Sequence, residues 1–285
     1  GRWVTEADRA EDETQQATAM FRAGVLHASA DTIRVSDANQ RNDAMDRIIF
    51  CHGMPGSMAE AALLQGANPT ADVTALNLLD GNLHRDFDAI TAKSTRQQRH
   101  VVGFSIGAMS AIQLAAQRPA NVSRLTLISP AAPLSLGDFL SDMAGKPVFE
   151  LAMRSPALLM PLTRCQGLMA RIAPNALIKM LFANCGAAER DLLTDPQFRK
   201  VLTQGLQESL AHHPQGYVSH ITNYVTDWRG LLPQVTCPVT LWHGTEDTWA
   251  RPEMSRQLQR AFGANAVLNL VEGKEHYSTI TKVSL

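Results

Sequence analysis

The chain has 285 residues, 45% hydrophobic and 19% charged, with 26 Lys plus Arg against 27 Asp plus Glu. At about 150 residues per domain this is one large domain or a domain with a sizeable insertion, and the apolar content excludes general disorder. A formal net charge of −1 leaves no electrostatic footprint for nucleic acid, and no apolar run reaches the roughly 18 residues of a membrane span.

Residues 1–25 begin with five acids (Glu6, Asp8, Glu11, Asp12, Glu13) among good helix formers, which predicts a helical surface arm, or a frayed one, with no catalytic character. Residues 31–36 alternate as an exposed edge strand would. Four continuous apolar runs follow, at 48–51, 73–78, 101–104 and 125–128. Their continuity predicts parallel strands buried on both faces. Residues 106–117 have a helical pattern that stops at Arg118-Pro119. From 133 to 233 no strand pattern is found. Helical segments at 148–160, 162–172 and 176–182 stand there instead, punctuated by Pro147, Pro156, Pro161, Pro174, Pro196 and Pro214. Met143, Met153, Met160, Met169 and Met180 fall in this stretch. Met at helical spacing ordinarily packs a core. Because strands resume at 239–242 and 267–271, the stretch is expected to be a helical lid over an adaptable apolar pocket. The expected organisation is an arm (1–25), an α/β core (26–132 and 234–285) and a helical cap (133–233).

Four cysteines are too few for a disulfide scaffold. Cys51 and Cys237 flank apolar runs and are expected as buried thiols, with a Cys165–Cys185 bridge as the alternative. The expected location is cytoplasmic. The chain begins at Gly1, so a removed signal peptide stays open.

Gly103-Phe104-Ser105-Ile106-Gly107 has the form G-x-S-x-G between a strand and a helix. That setting makes a tight elbow exposing Ser105 as a nucleophile, with the helix N-terminus behind it. An acyl transfer also needs two N–H donors where the tetrahedral oxygen will sit. The amide of Ile106 supplies one. In the loop Phe50-Cys51-His52-Gly53-Met54-Pro55-Gly56-Ser57 the amide of Met54 is the candidate for the other, since Pro55 has none. Gly53 and Gly56 allow the tight loop. His52 is expected as a structural hydrogen-bonder rather than a base, and with Gly53 as part of the substrate-binding wall.

The chain resembles an α/β-hydrolase with a helical cap over roughly residues 30–280. The resemblance rests on the His52-Gly53-Met54-Pro55 loop, the elbow at Ser105, and an acid and a late His in that order. It implies a mostly parallel open sheet flanked by helices with an inserted cap. It also implies that Asp247, in the turn Gly244 to Asp247, is the triad acid, with Glu246 and Asp227 as rivals. His276, after the last strand, is then the general base. His243 is expected to be structural, and His212 and His213 solvated. One departure from many capped relatives is Asp80-Gly81-Asn82-Leu83-His84-Arg85-Asp86, where they carry Asp-x-x-Gly-x-Gly-x-Ser. A Ser nucleophile argues against epoxide hydrolase and haloalkane dehalogenase chemistry.

The expected function is a serine hydrolase acting on carboxylic esters of small to medium, mainly apolar substrates, through an acyl-enzyme. Cleavage of amides, lactones, thioesters or carbon–carbon bonds, or acyl transfer, is the alternative. A non-catalytic ligand-binding protein on the same scaffold is the other. No cofactor is expected, and no His, Cys and Asp grouping has metal-ligand spacing. The expected partner is a small ester-type molecule; the oligomeric state is left open.

Overall fold

The computed structural model describes residues 47–92 and 98–285, so the expected arm and the edge strand at 31–36 lie outside the described residues. Six strands form one sheet: β1 (Arg47–Cys51), β2 (Asp72–Leu76), β3 (Arg99–Phe104), β4 (Val122–Ile128), β5 (Val239–Gly244) and β6 (Ala266–Val271). Each overlaps one of the apolar runs. The order is β2-β1-β3-β4-β5-β6, and every neighbouring pair is parallel. β3 is buried along its whole length, as a central strand covered on both faces must be. β6 ends the order opposite β2, and it leaves Val267 and Leu270 exposed.

The chain runs from β1 out to β2, then returns to the other side of β1 to form β3. The direction of winding reverses between β1 and β3. In open parallel sheets the crevice beyond the carboxyl ends of two such strands is where ligands bind. Register sets Cys51 at the end of β1 beside Gly103 near the end of β3. The loop at His52 and the elbow at Ser105 therefore leave the sheet side by side.

Helix α1 (Ala61–Ala67) lies between β1 and β2, and α2 (Leu83–Ala92) follows β2. α3 (Gly107–Gln117) follows β3 and packs on β1, β3 and β4. Two glycines permit that close approach. A Cβ on Gly107 would lie 2.2 Å from the carbonyl oxygen of His52, and one on Gly103 would lie 2.7 Å from the Cβ of Ala111.

Between β4 and β5 no strand occurs among the described residues. The segment holds α4 (Lys146–Arg154), α5 (Pro156–Ile172), α6 (Pro174–Leu181), α7 (Ala187–Leu192), α8 (Pro196–Leu206), a π-helical turn (Gln207–His212) and α9 (Pro214–Tyr224). Helix α10 (Pro252–Phe262) joins β5 to β6. The helix expected at 148–160 is two helices, broken at Ser155. Most of the prolines act as start signals. Pro147, Pro156, Pro174, Pro196 and Pro214 each stand in the first turn of a helix, where the missing N–H costs nothing and the fixed φ helps. Pro161 is inside α5 and does not end it. It is exposed, and so is Ala157, whose carbonyl loses its partner and can turn to water. All four cysteines are free, so no Cys165–Cys185 bridge forms. Cys51, Cys185 and Cys237 are buried and Cys165 is exposed.

The elbow packing predicts opposite outcomes for two similar substitutions. Gly107→Ala pushes a methyl into the backbone of β1 and lowers stability by roughly 1–3 kcal/mol. Gly66→Ala, in α1 with nothing within 4 Å of the new Cβ, raises it by about 0.5–1 kcal/mol. Thermal or urea unfolding of the two variants measures both.

Candidate active site

Ser105 has φ 55°, a left-handed backbone that a residue with a Cβ adopts only under constraint. Three backbone hydrogen bonds impose it. The Ser105 N–H donates to Ile128 O at 3.0 Å, and its carbonyl accepts from Ala108 N at 3.1 Å and Ala131 N at 3.0 Å. The elbow is thus tied to both β4 and α3. Ser129, after β4, is the other non-glycine residue with positive φ among the described residues, at 44°. Its N–H donates to Trp242 O at 2.8 Å and its hydroxyl to the carbonyl of His276 at 2.9 Å. No sequence pattern marks Ser129.

The turn after β5 and the loop after β6 bring Asp247 and His276 together. The His276 Nδ1–H donates to Asp247 Oδ2 at 2.8 Å. Asp247 Oδ1 accepts the N–H groups of Trp249 at 2.8 Å and Ala250 at 3.0 Å. His243 Nε2 lies 3.3 Å from Asp247 Oδ2, and the His243 ring is also bonded to Ser255 Oγ and Ala250 O, both at 2.7 Å. Burial alone would raise the Asp247 carboxyl. The neighbouring His276 and His243 rings outweigh it and hold the group well below the usual carboxylate range. The other two acids are elsewhere: Glu246 is exposed, and Asp227 is engaged by Ser135 and Arg229. The His276 ring is stacked on Trp249, with centroids 5.4 Å apart and planes 24° apart, and lies 4.9 Å from the ring of Phe104, the residue before Ser105. Among the described residues His276 bonds Asp247 and makes no hydrogen bond to Ser105.

The loop after β1 is held from outside the sheet. The Gly53 N–H donates to Glu60 Oε2 at 2.7 Å, and the Gly56 N–H to Ser209 Oγ at 2.9 Å. Pro55, in cis linkage to Met54, has no N–H. Among the described residues the amides of Met54 and Ile106 donate to no partner. Neither His52 nor Gly53 lines the cavity that holds Ser105, against the expectation that both form part of its wall. His52 is fully buried, its Nδ1–H donates to Gly53 O at 2.9 Å, and its Nε2 accepts from Leu78 N at 3.3 Å. Burial pushes its pKa down to about 4, so it is a neutral brace.

Three buried carboxylates surround the His276 loop, and none of them stands in a sequence motif. Glu60 also accepts from the Tyr277 hydroxyl at 3.2 Å. Glu189, on α7, accepts the N–H groups of Tyr277 at 2.5 Å and Ser278 at 3.1 Å. Glu275 accepts those of Gly186 at 2.6 Å and Glu189 at 3.2 Å. The loop that carries His276 is therefore bolted to the helical segment on one side and to the Gly53 loop on the other. Burial lifts Glu60 and Glu189 to about 7, against the pull of the donors they accept.

Ser105, Met54 and Ile106 share the wall of one cavity of about 280 Å³ with Phe149, Leu177 and Met180 of the helical segment. Among the described residues no Asp, Glu, Lys, Arg or His lines it. A second cavity of about 390 Å³, lined by His84, Gln113 and His220 among others, does not include Ser105. Leu83 and His84 of the departing segment lie there, so that segment shapes this second cavity. Among the described residues no group of three or more His, Cys, Asp or Glu could hold a metal ion.

A raised folded pKa means that the fold favours protonated Glu189. Its contribution is full below the ordinary value of 4.5 and is lost as pH rises to about 7. Melting temperatures of Glu189→Gln and the parent should therefore diverge in the variant's favour between those values, with a constant difference above them.

The family model described as the alpha/beta hydrolase fold matches residues 46–283. A sequence comparison with curated proteins finds no match. Among solved structures, a carboxylesterase of the thaumarchaeon Nitrososphaera gargenis is similar at TM-score 0.55 and 14% identity, over 85% of this chain and 86% of that one. A bromoperoxidase from Bacillus anthracis is similar at 0.55 and 16%, over 84% and 87%. An enol-lactonase from Burkholderia xenovorans is similar at 0.52 and 16%, over 84% and 86%. At these identities the likeness is one of fold. With the family match across most of its length and a parallel sheet whose switch point holds the elbow, the chain belongs to the alpha/beta hydrolase fold family.

Proposed function

We propose that this hydrolase is a serine hydrolase that cleaves carboxylic esters of small to medium, uncharged, mainly apolar substrates. The observation that carries the reading is one cavity wall that holds Ser105 with the two unengaged amides of Met54 and Ile106, and whose Trp249 and Ala250 are engaged by the hydrogen-bonded His276–Asp247 pair. Ser105 Oγ attacks the ester carbonyl while His276 Nε2 takes its proton. Asp247 keeps the Nδ1–H of His276 in place and stabilises the imidazolium that forms. The amides of Met54 and Ile106 hold the oxygen that becomes negative. His276 returns the proton to the leaving alcohol, and an acyl-Ser105 remains. Water, deprotonated by His276, then releases the acid.

The helices of residues 133–233 act as a cap in this reading. Val148, Phe149, Leu177 and Met180 supply the apolar part of the wall, and Gln166 and Asn184 its amides. An unscreened charge on the substrate would be desolvated there without a partner, so the fit is to neutral molecules. A cavity of about 280 Å³ is at the small end for ligand sites, which favours short acyl or alcohol groups.

Activity on p-nitrophenyl esters should rise with acyl length, then fall once the chain outgrows the cavity. A fluorophosphonate probe should label Ser105 in the folded protein. Ser105→Ala should lose roughly 10³-fold or more of kcat with the melting temperature retained. A probe that leaves Ser105 unlabelled, or a Ser105→Ala variant with parental turnover, overturns the reading. Asp247→Asn, which leaves the His276 tautomer wrong, should lower kcat by roughly 10⁴-fold with little change in KM.

A further inference from the structure

We propose that the outer face of α4, α5 and α6 is a docking surface for an anionic phospholipid membrane. Helix α5 has two apolar sides. One side, with Leu159, Thr163, Gly167 and Ala170, is buried. Gly167 lies so close to the π-helical turn that a Cβ there would meet Leu210 O at 2.2 Å. The other side carries Leu158, Pro161, Cys165, Leu168 and Ile172, at successive steps of three and four residues, so they form one stripe. All five are exposed, Leu158 by 57%, Leu168 by 58% and Ile172 by 73%. Of the eight large apolar side chains exposed among the described residues, five lie on these three helices: these three on α5, Met153 on α4 and Met180 on α6.

The charge around the stripe has one sign. Residues 146–180 carry Lys146, Arg154, Arg164, Arg171 and Lys179 against Glu150 alone, a net +4 in a chain of net −1. Among the described residues only Arg154 of these cations has an acidic partner, Glu150 at 3.9 Å. Arg164 and Arg171 flank the stripe and, with Leu168, line a shallow hollow of about 250 Å³ against Ala211 and Pro214, with no acid on its wall. An exposed apolar stripe edged by arginines is the pattern by which a helix lies in a lipid interface. A second copy of this chain would set one net-positive face against another. A protein docked here would also cover Met180, which is half-exposed and belongs to the wall of the Ser105 cavity. A lipid surface is anionic, accepts the stripe, and holds apolar esters at that wall. This last link rests on the ester reading; the docking itself does not.

The test is co-sedimentation of the full chain with vesicles of phosphatidylcholine, alone or mixed with phosphatidylglycerol. Binding to the mixed vesicles is expected, to weaken with added salt and to be at least tenfold weaker for phosphatidylcholine alone. Arg164→Glu with Arg171→Glu should lower affinity for the mixed vesicles about tenfold or more. Leu168→Asp with Ile172→Asp should abolish it, and both pairs should keep parental hydrolysis of a short soluble ester. Absence of binding at low salt, or binding that neither pair weakens, overturns the proposal. So does a dimer in sedimentation equilibrium that Leu168→Asp with Ile172→Asp dissolves, since the stripe then serves a second copy. Vesicle binding does not depend on turnover, so failure of the ester reading and failure of the docking are seen separately.

Discussion

The site depends on how closely α3 approaches β1. Gly107 sits where a Cβ would lie 2.2 Å from the backbone of His52, so the helix after the elbow lies directly on the strand that delivers the other loop. That contact forces the chain from β3 into α3 through a turn too tight for ordinary φ, and Ser105 takes the left-handed conformation as a result. The hydrogen bonds to Ile128, Ala108 and Ala131 hold the strain. A relaxed turn would move Ser105 away from the crevice, and Ile106 with it.

A second constraint acts on the loops. Loops that leave a sheet have no ladder to fix them, and here buried carboxylates replace it. Glu60 joins the Gly53 loop to Tyr277, and Glu189 takes the two amides after His276. Each acid accepts several hydrogen bonds, which is how a buried carboxylate is tolerated, yet burial still raises Glu60 and Glu189 to about 7. Asp247 contrasts with them. It is equally buried, but two imidazoles face it and its shift runs the other way. The same side-chain chemistry thus serves as a mechanical tie in two places and as the partner of an imidazole in a third.

The helical segment between β4 and β5 separates two kinds of apolar surface. Its inner side meets the Ser105 cavity without a charge, and its outer side exposes Leu158, Leu168 and Ile172 among arginines. The near-zero net charge of the whole chain conceals this. Acidic and basic residues cancel in the sum while one face remains positive, so composition alone says little about where a charged partner could act.

The sequence by itself determined the strands and the elbow. Parallel strands are buried on both faces, so each appears as a continuous apolar run that local chemistry suffices to mark. Gly103, Ser105 and Gly107 are also a local signal, because the clash they avoid involves the turn itself and the strands beside it. The prolines marked helix boundaries, Pro161 excepted, but not their sense: the same residue breaks a helix or starts one, and only the neighbouring turns choose between the two. Tertiary structure alone decided the rest. Glu189 meets Tyr277 across 88 residues and Glu60 meets it across 217, and neither acid stands in a pattern. His52 stood in a promising loop, yet the fold turned its ring inward to Leu78. Sequence periodicity records which face of an element is buried. It does not record which buried polar atoms will meet, because that depends on how distant segments converge.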